Sequence, residues 1–292
     1  MHSLHRQASD TGLPFEILLI DDASDGSLRA INESIRLPNL RYIGLDTNIG
    51  RSAIRNMLCV EAAYRFLIYM DCDSEVCDGH YIERYVECFK EGVICAGGRA
   101  YDPVRPYDAR CLRWKYGVKR ESFVAYARAA EGGIGFMTCN FLADRNVIIN
   151  TPFDTTLSGY GHEDTLFGIE LTAGGHTITH IDNPLIHKGL EDATTFLTKT
   201  AESITNLTAI KRILATKYHR TLPPTRLTLA HKTLSRYHLL PITAAILTLL
   251  KPLILRNLRS PHPSLHLFDA YKLYLLITHT PGASRKPIQA RN

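Results

Sequence analysis

Between residues 15 and 101 short apolar runs alternate with segments of helical spacing, and this alternation restricts the chain more than any other feature. FEILLIDD (15–22), LRYIGL (40–45), RFLIYMD (65–71) and VICAGGRAY (93–101) read as buried strands. SLRAINESIRL (27–37), GRSAIRNMLCVEAAY (50–64) and HYIERYVECFK (80–90) read as helices, the second with Ile54, Leu58 and Ala62 on one face. Strand and helix in turn, joined by short connections, predict an α/β fold with parallel strands. Ligands of such sheets sit outside the carboxyl ends of the strands. Two strands end there in acids, Asp21–Asp22 and Asp71/Asp73. Side chains far apart in sequence are therefore expected to face one crevice. An Asp-x-Asp arises roughly once by chance in a chain of this composition, so its place at a strand end carries the weight, not the motif alone.

The pattern weakens from about 102 to 135 and then resumes. MTCNFLADR (137–145) is a strand candidate. In GYGHEDTLFGIELTAGG (159–175), Leu166, Ile169 and Ala173 have helical spacing and Gly174–Gly175 supply a stop. Glu163 and Asp164 then occupy the first turn, where the helix dipole favours their charged forms. HTITHIDNPLIHKG (176–189) returns as a strand. Further on, ITNLTAIKRILATKYH (204–219) is a basic amphipathic helix candidate and LFDAYKLYLLITH (267–279) an apolar one. YHLLPITAAILTLLKPLIL (237–255) is strongly apolar, but Pro241, Lys251 and Pro252 interrupt it, short of an unbroken membrane span.

Charge separates the two ends. Residues 205–292 carry 14 Lys and Arg against one acid, Asp269, whereas the preceding residues carry 20 basic and 28 acidic side chains. A basic region appended to an acidic body suggests an anionic partner. The seven cysteines show no Cys-x-x-Cys, and MHSLHRQASDTGLP has no apolar core, so free thiols in a reducing, cytosolic compartment are expected, with neither a zinc site nor a signal peptide.

The order LLIDDAS, NIGRSAIRN, YMDCD, FDTTLSGYGHEDTLFGIEL, HKG resembles the family 2 glycosyltransferases of GT-A fold. Their usual pattern is an apolar strand ending in Asp-Asp-Gly-Ser, an Asn-x-Gly with a downstream Ala-Arg-Asn, the Asp-x-Asp, and a Gly-x-Glu-Asp segment. The likeness covers residues from about 4 to 200, with Ala23 in place of the usual glycine. It implies a Rossmann-like nucleotide-diphospho-sugar transferase, α/β with a mixed sheet and helices on both faces, followed by a C-terminal helical region. The expected division is 1–204 for the catalytic domain and 205–292 for the basic helical part. The family's first strand has no counterpart here, and an upstream coding region supplying it is expected; the opening residues look like the end of the helix that follows that strand.

The implied chemistry fits the residue types. Sugar transfer from a nucleotide-sugar needs a diphosphate leaving group whose charge a divalent cation neutralises. Mn2+ or Mg2+ prefers hard oxygen ligands. The resemblance assigns Asp73 to the metal and Asp71 to the ribose or metal shell. His187 falls where some relatives have a third ligand, although a lone histidine is more often structural. Cys72 is too soft to be a ligand. Asp21 and Asp22 would meet the nucleoside, with Arg51 and Arg55 as cations near the crevice; Arg51 reads equally as a solvated helix face. A carboxylate must take the acceptor hydroxyl's proton. Asp164 is the expected base and Glu163 an acceptor contact or orienter, with the reverse assignment open. The expected activity is thus metal-dependent, inverting transfer from a nucleotide-sugar, uridine-linked by preference, to a glycan or lipid-linked acceptor in polysaccharide biosynthesis. Interleaved Leu and Ile in 205–292 suit an anionic membrane surface better than nucleic acid, so the expected place is peripheral, at the inner face of the cell membrane. The alternatives are an inactive, membrane-docked module of the same fold and, less fittingly, a haloacid dehalogenase-type phosphohydrolase. The latter normally carries Asp-x-Asp on its first strand with Thr or Val where Glu75 stands here.

Overall fold

The computed structural model describes residues 1–157, 159–219 and 221–279 of the chain. The end of the basic stretch, 280–292, and Arg220 lie outside the described residues. The chain divides into two compact units. One comprises 1–103, 117–158 and 163–189; the other comprises 104–116, 159–162 and 190–292.

The elements of the first unit begin with α1 (His2–Asp10), β1 (Ile17–Asp21), α2 (Gly26–Ser34), β2 (Leu40–Gly44), α3 (Arg51–Glu61), β3 (Phe66–Met70) and β4 (Ser74–Val76). They continue with α4 (Tyr81–Val86), β5 (Ile94–Ala96) and β6 (Arg99–Ala100). After α5 (Cys111–Arg120) come α6 (Ala125–Ala129), a 3-10 turn at Gly132–Gly135, β7 (Asn140–Asp144), α7 (Arg145–Asn150), α8 (Glu163–Ala173), β8 (Ile178–His180) and β9 (Leu185–His187). The strands make three sheets: β1 beside β2, the order β3-β7-β5-β8, and the order β4-β9-β6.

The sheets are mixed. β1 and β2 are parallel, as are β5 with β8 and β6 with β9, but β7 runs antiparallel to both β3 and β5. An all-parallel reading of the alternation therefore fails at β7, the strand that enters after the weakly patterned stretch. All five residues of β7 are buried, and Phe141 stacks on Tyr69 of β3 with ring centroids 4.6 Å apart. Around it Ile94, Phe136, Val147, Phe153, Phe167 and Leu171 form the main core.

The run 93–101, which reads as one strand, breaks into β5 and β6 at Gly97–Gly98. A side chain of β7 sits at the break. Asn140 is fully buried, accepts from the Tyr81 and Tyr85 hydroxyls at 2.9 and 2.7 Å, and donates to the carbonyls of Gly98 and Asn183 at 2.8 Å each. The Gly98 carbonyl also accepts from the Leu185 N–H at 3.3 Å. A Cβ at Gly97 would run into the Tyr85 hydroxyl, the Asn183 carbonyl and the Asn140 amide, so only glycine fits. The run 176–189 is split in the same way, into β8 and β9.

The second unit is helical: α9 (Ala193–Lys217), α10 (Arg226–Arg236), α11 (Leu240–Leu258) and α12 (Leu265–His279). The shift in composition at 205 falls inside α9, whose first turn Asp192 caps by accepting from the Thr194 and Thr195 N–H groups. α11 runs unbroken through Pro252 and carries Pro241 in its first turn, so these prolines do not end the helix. Leu112, Phe196, Leu197, Leu207, Ile254 and Phe268 are among the residues of this unit's own core. All seven cysteines are free; Cys88 and Cys95 approach to 3.6 Å without a bond.

Candidate active site

The residues singled out by the sequence gather in the first unit, at the carboxyl ends of β1 and β3. The β3–β7 register explains how the chain builds this edge. Met70 pairs with Asn140, so the residues just before β7, Thr138 and Cys139, lie beside the end of β3. The Asp71 N–H donates to the Cys139 carbonyl at 3.1 Å. Next, β4 pairs antiparallel with β9, Ser74 opposite His187, which brings the imidazole to the second acid of the Asp-x-Asp.

Nε2 of His187 lies 3.1 Å from Oδ2 of Asp73. The histidine is 5 % exposed and its Nδ1 is buried without a hydrogen-bond partner, so Nε2 is the nitrogen with something to bind. The imidazole beside it holds the Asp73 carboxyl below the usual carboxylate range, with Arg99 adding to the effect. The Asp73 carbonyl accepts from the N–H groups of Lys188 and Gly189, and a Cβ on Gly189 would collide with the Asp73 carboxylate. HKG therefore supplies an imidazole, a backbone clamp and clearance around one carboxylate.

Asp71 faces a different set. Its Oδ1 is 3.3 Å from Arg55 and its Oδ2 3.5 Å from Arg99. Arg55 comes from α3 and is buried; burial works against its charge, and Asp71, Asp164 and Glu163 together more than restore it. Cys72, between the two acids, has its thiol pushed up by burial and by its neighbours Asp73 and Asp71, so it stays protonated.

Glu163 and Asp164 open α8, as the spacing predicts. The Thr138 hydroxyl donates to Oδ1 of Asp164 and its backbone N–H to Oδ2. Glu163 lies 3.4 Å from Arg51, and its carboxyl is pushed up by burial and by the charge of Asp164. Two acids in one turn thus have different surroundings.

Asp21 and Asp22 sit at the end of β1, and both spend their oxygens on the protein. Asp21 is 5 % exposed and accepts from the Ser24 N–H, the Asn32 amide and the Tyr42 hydroxyl. Burial opposes its ionisation, yet these donors win and hold its carboxyl at about 2. Asp22 accepts from the N–H groups of Ile49 and Gly50 at 2.7 and 3.0 Å, tying the end of β1 to the start of α3. Between them and the first turn of α2, Ala23 adopts a left-handed backbone, φ 62°.

Among the described residues no three His, Cys, Asp or Glu side chains form a metal cage by themselves. Asp73 and His187 nevertheless fit a shared Mn2+ or Mg2+. One oxygen and one nitrogen stand 3.1 Å apart, and ions of this class keep open positions for substrate phosphate. Asp71, turned to two guanidiniums, belongs to the arginine side of the site.

Two contributors had no signal in the sequence. Thr138 and Arg99 lie outside any acid-bearing strand end; pairing β7 against β3 brings Thr138 to the site, and pairing β6 against β9 brings Arg99. Arg99 is 14 % exposed in its side chain and pairs with Glu121 at 3.7 Å as well as with Asp71.

The glycosyl transferase family 2 model matches residues 1–150. No curated protein matches the chain. Among solved structures, the mannosyltransferase PcManGT from Pyrobaculum calidifontis, in complex with GDP-Man and Mn2+, superposes with a TM-score of 0.53 at 14% identity, covering 90% of this chain and 76% of that one. TarS 1-349 from S. aureus in complex with UDP-GlcNAc gives a TM-score of 0.46 at 15% identity, covering 94% of this chain and 84% of that one.

Proposed function

Because the chain belongs to glycosyl transferase family 2, we propose that this glycosyltransferase is metal-dependent and inverting, and that it moves a sugar from a nucleoside-diphosphate donor, UDP-linked by preference, to a glycan or lipid-linked acceptor in polysaccharide assembly. The observation that carries the reading is Arg55. One buried guanidinium is balanced by Asp71 from the end of β3 and by Glu163 and Asp164 from the start of α8. Three separate motifs therefore share one charge cluster.

In this reading Asp73 and His187 would hold Mn2+ or Mg2+, and the ion would supply positive charge against that of the diphosphate. Asp71, fixed by Arg55 and Arg99, positions the ribose. The Ile49–Gly50 corner, tied to Asp22, together with Asp21 and Arg51 shapes the nucleoside end of the site. Asp164 accepts the proton of the attacking hydroxyl at one carboxylate oxygen while Thr138 fixes the group. Glu163 orients the acceptor. Direct attack on the anomeric carbon, with no covalent intermediate, inverts the configuration there. The acidic region 1–204 is the catalytic part, and the basic region 205–292 holds the enzyme at an anionic cytoplasmic membrane surface, where a lipid-linked acceptor resides.

The test is a donor screen with the purified chain, Mn2+ and UDP- or GDP-sugars, reading nucleotide release and the anomeric configuration of the product. Activity with at least one donor, inverted product, and loss of about 10²–10⁴-fold in rate for Asp164→Asn with donor binding intact are expected. Nucleotide release unaffected by that substitution would move the base elsewhere; retained configuration would end the direct-displacement mechanism.

A further inference from the structure

α11 is apolar on two sides of one helix. Leu247, Ile254 and Leu258 pack into the core of the second unit. About 140° around the axis, at the same spacing, Ile242, Ile246, Leu249 and Leu253 point outward. Those four are 59 %, 52 %, 79 % and 64 % exposed, and Leu250 beside them 40 %. Positions i, i+4, i+7 and i+11 make a single continuous stripe. A soluble surface exposes single leucines freely, but not a row of this length.

The surroundings of the stripe select its occupant. Residues 226–258 contain no acid. Lys232 and Arg236 precede the stripe and Arg256 and Arg259 follow it, all exposed. Asp269, the lone acid after 205, already pairs with Lys272 at 3.0 Å. Apolar surface bracketed by uncompensated cations matches the headgroup and upper acyl region of a bilayer rich in anionic lipid; a phosphate backbone would leave the leucines in water. Among the described residues α11 alone has the length and apolar character to cross a membrane. Its packed side argues against crossing, and so does Pro252, which leaves the Thr248 carbonyl without its intrahelical donor and in need of water.

We propose that α11 lies in the plane of an anionic membrane, with Ile242, Ile246, Leu249 and Leu253 in the acyl boundary and Lys232, Arg236, Arg256 and Arg259 at the headgroups. This rests on the membrane-facing part of the proposed function and not on its catalytic part, and it replaces attraction by the whole basic region with one face of one helix.

The experiment is flotation of the full chain with vesicles of phosphatidylglycerol and phosphatidylcholine, against phosphatidylcholine alone. Wild type, Ile246→Glu/Leu253→Glu and Lys232→Glu/Arg236→Glu are compared, with circular dichroism and thermal midpoint checking that each folds. Wild type is expected to float with the anionic vesicles. The stripe variant should lose binding by more than about tenfold at any salt, and the charge variant mainly at low salt. In Leu249→Trp the new emission should shift to the blue on adding anionic vesicles and be quenched by lipids brominated on their acyl chains. Wild type floating with the stripe variant floating equally would overturn the proposal and leave a purely electrostatic membrane contact. No flotation of wild type would overturn both. A concentration-dependent dimer that the stripe variant abolishes, without vesicle binding, would assign the face to a second copy of the chain.

Discussion

The hydroxyl of Thr138 donates to Oδ1 of Asp164 across 2.6 Å, and the backbone N–H of the same residue reaches Oδ2 at 3.3 Å. One residue just before β7 thus fixes both oxygens of an acid in the first turn of α8. In the proposed mechanism it is a positioning residue, acting only through Asp164.

Thr138→Val keeps the shape and removes the hydroxyl. A hydrogen bond to a charged group contributes about 1.5–3 kcal/mol, so kcat should fall roughly ten- to a hundredfold while the donor KM stays unchanged. Thr138→Ser should restore most of it. A variant that loses donor affinity instead would mark the threonine as a packing residue.

Asp73→Asn removes the carboxylate that faces His187. A bound ion supplies several kcal/mol of charge stabilisation, so turnover should fall by about a hundredfold or more at every Mn2+ concentration. The thermal midpoint should change little, because Asp73 sits at a half-exposed sheet edge. Isothermal titration of Mn2+ in the presence of the nucleotide checks the same point without turnover: wild type should bind and the variant should not.

Ala23→Gly should stabilise the protein by about 0.5–1 kcal/mol. The left-handed backbone at Ala23 costs an L-residue about 1–2 kcal/mol, part of which glycine gives back through its freer unfolded chain. The midpoint of urea unfolding should rise with the slope unchanged. This is also the physical reason that the family pattern prefers glycine at this corner.

Asp21 sets an acid dependence. Its folded carboxyl lies at about 2, below the roughly 3.9 of an unfolded chain. A depressed carboxyl contributes stability that is fully present above the unfolded value and is lost as pH falls towards the folded one. Wild-type stability should therefore decline between about pH 5 and pH 2. Asp21→Asn should be less stable at pH 7 and decline less steeply over that window, as read by urea unfolding at each pH.

What the sequence makes legible follows from how local each feature is. β1 and β3 announce themselves as apolar runs closed by acids, and α8 by its periodicity and its first-turn carboxylates, because those signals lie within a few residues. The break at Gly97–Gly98 is invisible locally, since the amide that bonds there, Asn140, lies more than forty positions away in the chain. Arg99 and Thr138 are hidden for the same reason. Each reaches the site through strand pairing with a partner that local pattern does not identify. The prolines of α11 mislead in the other direction: one occupies a first turn where it is tolerated, and the other is accommodated because its neighbours pack the helix in place.

β7 has one end beside Asp164 and the other in the scaffold. It begins just after Thr138 and ends at Asp144, a carboxylate 1 % exposed that accepts from Arg65 and from the N–H groups of Gly92 and Asn146. Every position between is enclosed, so the strand behaves as a stiff rod with no slack to absorb a displaced residue. For anyone seeking altered sugar preference by random mutagenesis, this segment is barren ground: a substitution there disturbs the anchorage at Asp144 and the placement of Thr138 against Asp164 together. Useful diversity has to come from segments free to move without dragging that rod.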